Sequence, residues 1–518
     1  MAIVVDTPER RLRALARDAW RWLVDLPDEV SRSVPWSAVV VATMAVATFV
    51  ARLPGIIYTG MFDRDESFLA VTADVWRHGG SLYVDVIDRK PPVVPVAYGI
   101  IRTFTEDMRG VRVVLALAIA LSGMAVVGIV RRLSGSRRAA LYAGALSVLG
   151  TAWFLPHDAQ AANFELWGLP FASAAVLALL VARSQSDVRR QLLWLAVSGA
   201  AVALAAQCKQ PYIVVGLPVA FEVLRRGRTV SRAVAPIVGF VVATAPFVAV
   251  FGRAEMWRWV WADNGDYVDG GLALGRSAAV GLALTVVFAL LHVPVLYGLW
   301  SWLRRRVVVD PVIALWLLGS ALVIPIGWRF FGHYYQQLVP PLAVLTGCAL
   351  VRATRTTRVI IVALALALTG SMVGLAFAHR PDLSNFTALG RYVQSVTTEQ
   401  QRIVVWGALP DVYVAAQRLP AGVFLHDGYL TGNWASRAEP LDPAVVARDP
   451  YASRWRLFLA DLDRQRPEII IDAARPGTDW AAYGPQKYPI GVRLAQCYQR
   501  VAVIDGLPVW RLDHTACP

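Results

Sequence analysis

Eight residues, Met61-Phe62-Asp63-Arg64-Asp65-Glu66-Ser67-Phe68, gather three carboxylates just past a long apolar segment. An ionised carboxylate at a membrane edge must be solvated, paired or used, because desolvating it without a partner is expensive. Further polar groups follow: Lys90 in the same outer loop and, at the ends of later apolar segments, Glu165, then Lys209 and Gln210, then Arg329, His333 and Tyr334. Carboxylates that accept a proton, set beside cations that hold an anion, suit displacement at a sugar carbon. One carboxylate acts as general base on the incoming hydroxyl and the cations stabilise a departing phosphate. Each residue also has a plainer reading. Asp65 and Glu66 can cap or solvate a surface helix, Lys90 can reach to lipid headgroups, Lys209 can complete a structural ion pair, and His333 with Tyr334 can sit in an aromatic belt.

The elements that must position these groups are mostly apolar. Of 518 residues, 56% are hydrophobic and 17% charged, with a mean hydropathy of +0.48, which is the composition of a multi-span membrane protein. Net charge is +14, but from Arg380 onward 15 Lys+Arg face 14 Asp+Glu, so the basic excess belongs to the residues before it. There it reports membrane orientation, and no basic stripe interleaved with aromatics points to nucleic acid. The four cysteines have no metal-ligand spacing. Cys208 and Cys348 fall in apolar runs, and Cys497 and Cys517 can pair only if the tail is extracytoplasmic.

Apolar runs read against ~30 Å of hydrocarbon number about eleven, two of them short or interrupted. They lie near 36–58, 111–130, 139–154, 166–183, 191–207, 211–224, 232–251, 277–303, 311–327, 337–351 and 358–379. Alternate loops between them carry 17 arginines against three acids, Asp187, Glu222 and Asp310, which assigns those loops to the cytoplasm. Residues 1–35 then form a cytoplasmic segment, with an interfacial amphipathic helix over 8–25, and the first span is an uncleaved anchor. The first outer loop, about 59–110, holds two amphipathic stretches, Phe68–Trp76 and Val93–Phe104, expected as short helices on the membrane surface. Trp257, Trp259 and Trp261 alternate with polar residues and are expected at the interface.

After the membrane domain of residues 36–379, residues 380–518 change character. Arg402–Gly407, Pro467–Asp472 and Val501–Leu512 read as strands and Pro410–Arg418 as a helix. The expected fold is an α-helical integral membrane protein of about eleven transmembrane helices with a small extracytoplasmic C-terminal α/β domain.

The motifs also have a family likeness. Asp65-Glu66, then Gly80–Asp85, Asp88-Arg89-Lys90-Pro91-Pro92, Asn163-Phe164-Glu165, Cys208-Lys209-Gln210-Pro211 and His333-Tyr334-Tyr335 resemble, in that order, the C-type membrane glycosyltransferases. These use polyprenyl-phosphate sugars and include the protein O-mannosyltransferases and aminoarabinose transferases. The resemblance implies that Asp65 is the catalytic base, although the order Asp63-Arg64-Asp65 leaves Asp63 open. It implies that Lys90 and Lys209, with Arg329 or His333, neutralise the lipid phosphate, and that Glu66, Asp63, Gln210, Tyr334 and Glu165 bind substrate. No metal or cofactor is expected, since the cations can hold the phosphate.

The implied partners are a polyprenyl-phosphate sugar donor, a glycan, glycolipid or protein acceptor, and the lipids of a bacterial plasma membrane. A polytopic transporter or lipid-linked sugar flippase is the rival. Ionisable residues near mid-span and two related halves would favour it.

Overall fold

The computed structural model describes residues 34–225, 230–265, 274–379, 386–432, 434, 441–474 and 481–517. The amphipathic helix expected over 8–25 lies outside them. Among the described residues six helices are long and apolar enough to cross a membrane: Trp36–Ile57, Met108–Ser134, Phe164–Arg183, Val188–Cys208, Val230–Phe251 and Arg355–Ala378. The run expected as one span over 277–303 is instead two helices, Gly275–Leu291 and Val293–Leu303, bent by 94° at His292. The remaining apolar runs hold shorter helices, Arg137–Gly150, Gly216–Arg225, Pro311–Leu322 and Val339–Leu350. A helix of that length spans at most ~21 Å, less than the hydrocarbon thickness. Two of the four are extended at their N-terminal ends by 3-10 turns, Gln210–Val215 and Gly332–Leu338. Irregular backbone at membrane depth is tolerated where neighbouring helices cover it or where it lines a cavity.

Small residues set the closest helix contact. A Cβ on Gly199 would stand 1.9 Å from the Pro236 carbonyl oxygen, and one on Gly239 would stand 1.9 Å from that of Ala196. The helices Val188–Cys208 and Val230–Phe251 therefore meet backbone to backbone, the small-residue packing that lipid-embedded helices use.

Residues 386–517 hold a four-stranded sheet: β1 (Ile403–Trp406), β2 (Ile469–Asp472), β3 (Tyr498–Ile504) and β4 (Leu507–Leu512), in the order β1-β2-β4-β3. β1 and β2 are parallel, with Ile403 opposite Ile469, and the other pairings are antiparallel. β1 and β2 are buried along their whole length, as a strand covered on both faces must be. Cys497 and Cys517 form a disulfide.

Two hydrophobic cores result, and the helix Arg64–Arg77 belongs to both. Leu69, Ala70 and Ala73 pack into the core of the membrane helices. Val71 and Val75 pack into the second core with Phe424 and Leu425 of the C-terminal part. Sequence pattern predicts a surface helix here. Because the C-terminal part covers it, it is instead enclosed. The same cover corrects the reading of Trp259, which is 3% exposed and packs on Phe424 and Tyr429, while Trp257 and Trp261 remain exposed.

Candidate active site

Asp63 ends the extended segment before the helix Arg64–Arg77 and caps it, its Oδ1 accepting from the Asp65 amide at 2.8 Å. This cap fixes the first helical turn and with it the Asp65 side chain. The loop that follows returns Lys90 to the same place. Asp88 Oδ1 accepts from the Lys90 amide at 3.2 Å, and Pro91 and Pro92 lead into the helix Val93–Arg102. Lys90 Nζ stands 3.3 Å from Asp65 Oδ1 and 4.1 Å from the centroid of the Phe164 ring.

Two later segments complete the cluster. Lys209, in extended backbone after the helix Val188–Cys208, pairs with Glu165 and lies 4.0 Å from the centre of the Tyr334 ring. His333 donates through its backbone amide (2.9 Å) and sets Nδ1 at 3.0 Å to the same oxygen, Oδ1, of Asp158. Its Nε2 is 3.8 Å from Glu165 Oε1. Asp63, Asp65, Lys90, Glu165, Lys209, His333 and Tyr334 line one cavity of about 710 Å³, which Leu425, His426, Tyr429 and Trp434 of the C-terminal part also line.

The electrostatics separate the two aspartates. Burial pushes Asp63 up, and the adjacent Asp65 charge adds to it, so that it sits at about 6. Burial also works against the Asp65 charge, but the ammonium of Lys90, with His333 and Lys209 behind it, more than offsets this and holds Asp65 below the usual carboxylate range. For His333, burial opposes the charged ring, yet Glu165 and Asp158 outweigh it and raise the imidazole to about 9. Among the described residues no group of three or more His, Cys, Asp or Glu is arranged to hold a metal ion.

Of the residues singled out in the sequence, Asp63, Asp65, Lys90, Glu165, Lys209, Gln210, His333 and Tyr334 line the cavity. Glu66 and Arg329 are not among the residues that line it. Glu66 is fully buried. Its Oε1 accepts from Arg112 Nε at 2.8 Å and its Oε2 from Arg112 Nη2 at 2.6 Å, with the amides of Ala162 and Phe62 each at 2.7 Å. With every lone-pair direction used inside the protein, Glu66 is a structural anchor for the loop. Arg329 is buried where the chain turns sharply through left-handed Gly327, Trp328 and Phe330.

Gln210 reaches the cavity, but its Nε2 donates to the Arg89 carbonyl at 2.6 Å and to that of Val260 at 3.0 Å, so this amide ties loops together. Sequence reasoning missed Arg112, although a lone arginine early in an apolar span is itself a signal. It considered Asp158 only as a partner of Asp65 in a divalent-ion site that it did not predict, and nothing local marks His426 or Trp434 as cavity residues.

Residues 89–252 match the family model described as dolichyl-phosphate-mannose-protein mannosyltransferase. No curated protein sequence matches the chain. Among solved structures, ArnT from Cupriavidus metallidurans bound to undecaprenyl phosphate superposes with a TM-score of 0.63 at 14% identity, over 94% of this chain and 100% of that one. Its apo state gives 0.60 at 14% identity, over 93% and 99%. The Archaeoglobus fulgidus oligosaccharyltransferase in its apo form gives 0.52 at 12% identity, over 85% of this chain and 70% of that one. At such identities the likeness is one of fold. The chain is a multi-pass membrane protein with the fold of the C-type membrane glycosyltransferases.

Proposed function

We propose that the protein transfers a monosaccharide from a polyprenyl-phosphate donor to an acceptor hydroxyl on the extracytoplasmic face of a bacterial plasma membrane, in cell-envelope glycan or protein glycosylation. Asp65 takes the proton of the acceptor hydroxyl as its oxygen attacks the anomeric carbon. The bond from that carbon to the phosphate oxygen breaks, and the lipid phosphate leaves with the electron pair. One direct displacement inverts the anomeric carbon. Lys90, Lys209 and His333 hold the phosphate, and no metal or cofactor takes part.

The observation that carries this reading is the meeting of Asp65, Lys90, Lys209 and His333 in one cavity, although they come from four distant segments. The carrier lipid bound in the ArnT structure supports the donor class, and the arginine-rich alternate loops support the orientation.

In the resting site Lys90 pairs with Asp65, which leaves that carboxylate a weak base. Donor phosphate competes for the same ammonium. As Lys90 turns to the phosphate, Asp65 regains basicity, so the base is strengthened when the donor is in place.

The test is Asp65→Asn in membranes supplied with polyprenyl-phosphate sugar. Transfer is expected to fall by about a hundredfold or more while undecaprenyl phosphate still binds. Full transfer by the variant would remove Asp65 from the mechanism. Comparing envelope glycans and glycoproteins by mass spectrometry, with and without the chain, identifies sugar and acceptor.

A further inference from the structure

We propose that Asp158 is a positioning residue that locks His333 as a fixed cation facing the donor phosphate. This rests on the transferase reading above and adds to it a residue that does not itself meet substrate.

The geometry is a clamp. One oxygen of Asp158, Oδ1, takes both the backbone amide and Nδ1 of His333, at 2.9 and 3.0 Å. Two bonds from one residue to one oxygen fix the ring's rotation as well as its place, and require the proton on Nδ1. Phe331 stacks against the ring, at 5.4 Å between centroids and 16° between planes. Nε2 is thereby turned toward Glu165 and the cavity.

The clamp is also built from the other side. A Cβ on Gly332 would stand 2.2 Å from Asp158 Oδ2 and 2.1 Å from Phe154 Cε1, so only glycine lets the chain lie this close to the carboxylate. The Asp158 turn is itself held in place. Arg52 donates to the carbonyls of Ala159 and Thr151, and Gln160 Nε2 to that of Ala51.

Charge follows from position. Asp158 and Glu165 flank the two ring nitrogens. His157 stands against the other oxygen of Asp158, at 3.2 Å. Lys209 opposes a second positive charge here, while Asp63 and Asp65 across the cavity favour one. A histidine so placed stays an imidazolium through the neutral range, where an ordinary one is mostly neutral. It then acts on phosphate as a lysine does, but without a flexible stem to order.

The experiment measures binding of undecaprenyl phosphate to the full-length protein in lipid nanodiscs, at about pH 6 and about pH 8, on either side of an ordinary histidine pKa. The phosphate's own ionisation, near pH 6, affects every variant alike. Asp158→Asn should bind within about threefold of wild type at the lower pH and about tenfold or more weakly at the higher, the loss expected for one charged hydrogen bond. Adding His333→Lys to Asp158→Asn should restore binding at the higher pH, because a lysine needs no carboxylate to stay charged.

Equal weakening of Asp158→Asn at both pH values, an unchanged pH profile, or no rescue by lysine overturns the inference. If Asp158→Asn does not fold, His333→Lys alone decides. It should keep its affinity above about pH 9, where wild type loses one cation, and superimposable profiles would overturn the proposal. Wild type that binds no undecaprenyl phosphate at any pH fails the transferase reading itself, which a silent Asp158→Asn does not.

Discussion

Lys90 and Asp65, 25 residues apart in sequence, meet at 3.3 Å with each side chain 22% exposed. The pair is therefore neither a surface ion pair nor a buried one. Water can reach it, and so can a ligand, while the protein around it keeps screening low.

That access makes Lys90→Gln informative. Without the ammonium, donor affinity should fall by about tenfold or more, the worth of a charge-assisted bond to phosphate. Asp65 should also lose the partner that holds its charge. Since burial alone raises a carboxylate, the acid limb of kcat/KM is expected at higher pH in the variant than in wild type. Titrating transfer rate against pH at low donor concentration checks both effects. An unmoved acid limb would mean that the pair does not set the basicity of Asp65.

Asp63 gives a separate pH prediction. Its carboxyl sits at about 6 in the folded protein, above its unfolded value near 3.9. A carboxyl raised on folding stabilises the fold when protonated, and that contribution is lost as pH climbs through about 6. Asp63→Asn keeps an N-cap acceptor and never ionises, so it should be more stable than wild type at neutral pH and equal to it at about pH 4. Denaturation midpoints at the two pH values test this. Activity then sorts the carboxylates: if Asp65 is the base, Asp63→Asn retains transfer and Asp65→Asn does not. The reverse pattern would move the role to Asp63.

Which features were legible follows from how local their cause is. Each apolar run in the sequence contains a helix, because burying apolar side chains is a property of the run itself. The bend at His292 depends on neighbours, whereas the run 277–303 reads as one span. In the first loop the three carboxylates are adjacent in sequence, but successive helical residues point about 100° apart. Asp65 thus faces the cavity while Glu66 turns inward to Arg112. Residue type alone could not say which was which. The same holds for Gln210, whose polar character was evident but whose partners, Arg89 and Val260, are distant loops.

The Glu66–Arg112 pair should be the costliest to break. Both side chains are almost wholly buried, at 0% and 2% exposure, and Arg112 also donates to the carbonyls of Tyr58 at 2.8 Å and Gly60 at 2.6 Å. Arg112→Ala strands a buried carboxylate and the carbonyls of Gly55, Tyr58 and Gly60, a loss of about 3–5 kcal/mol. Glu66→Gln keeps the shape and half the hydrogen bonds, so it should cost less. Thermal denaturation of the two purified variants in detergent ranks them, and a ranking the other way round would remove the anchor role from Arg112.

Trp259 tests whether the C-terminal part must stay seated for the site to work. Its ring meets Phe424 at 5.9 Å and Tyr429 at 6.0 Å, both edge-on, and Arg454 comes within 3.5 Å of Asp263 on the same segment. Trp259→Ala leaves a cavity beneath Phe424 and Tyr429, at a cost of about 3–5 kcal/mol. Tyr429 and Trp434 line the same cavity as Lys90, Lys209 and His333 but are not part of that cationic cluster, so on the transferase reading the variant should raise the acceptor KM more than it weakens undecaprenyl phosphate binding. Equal losses in both would mean that the C-terminal part supports the whole cavity rather than one part of it.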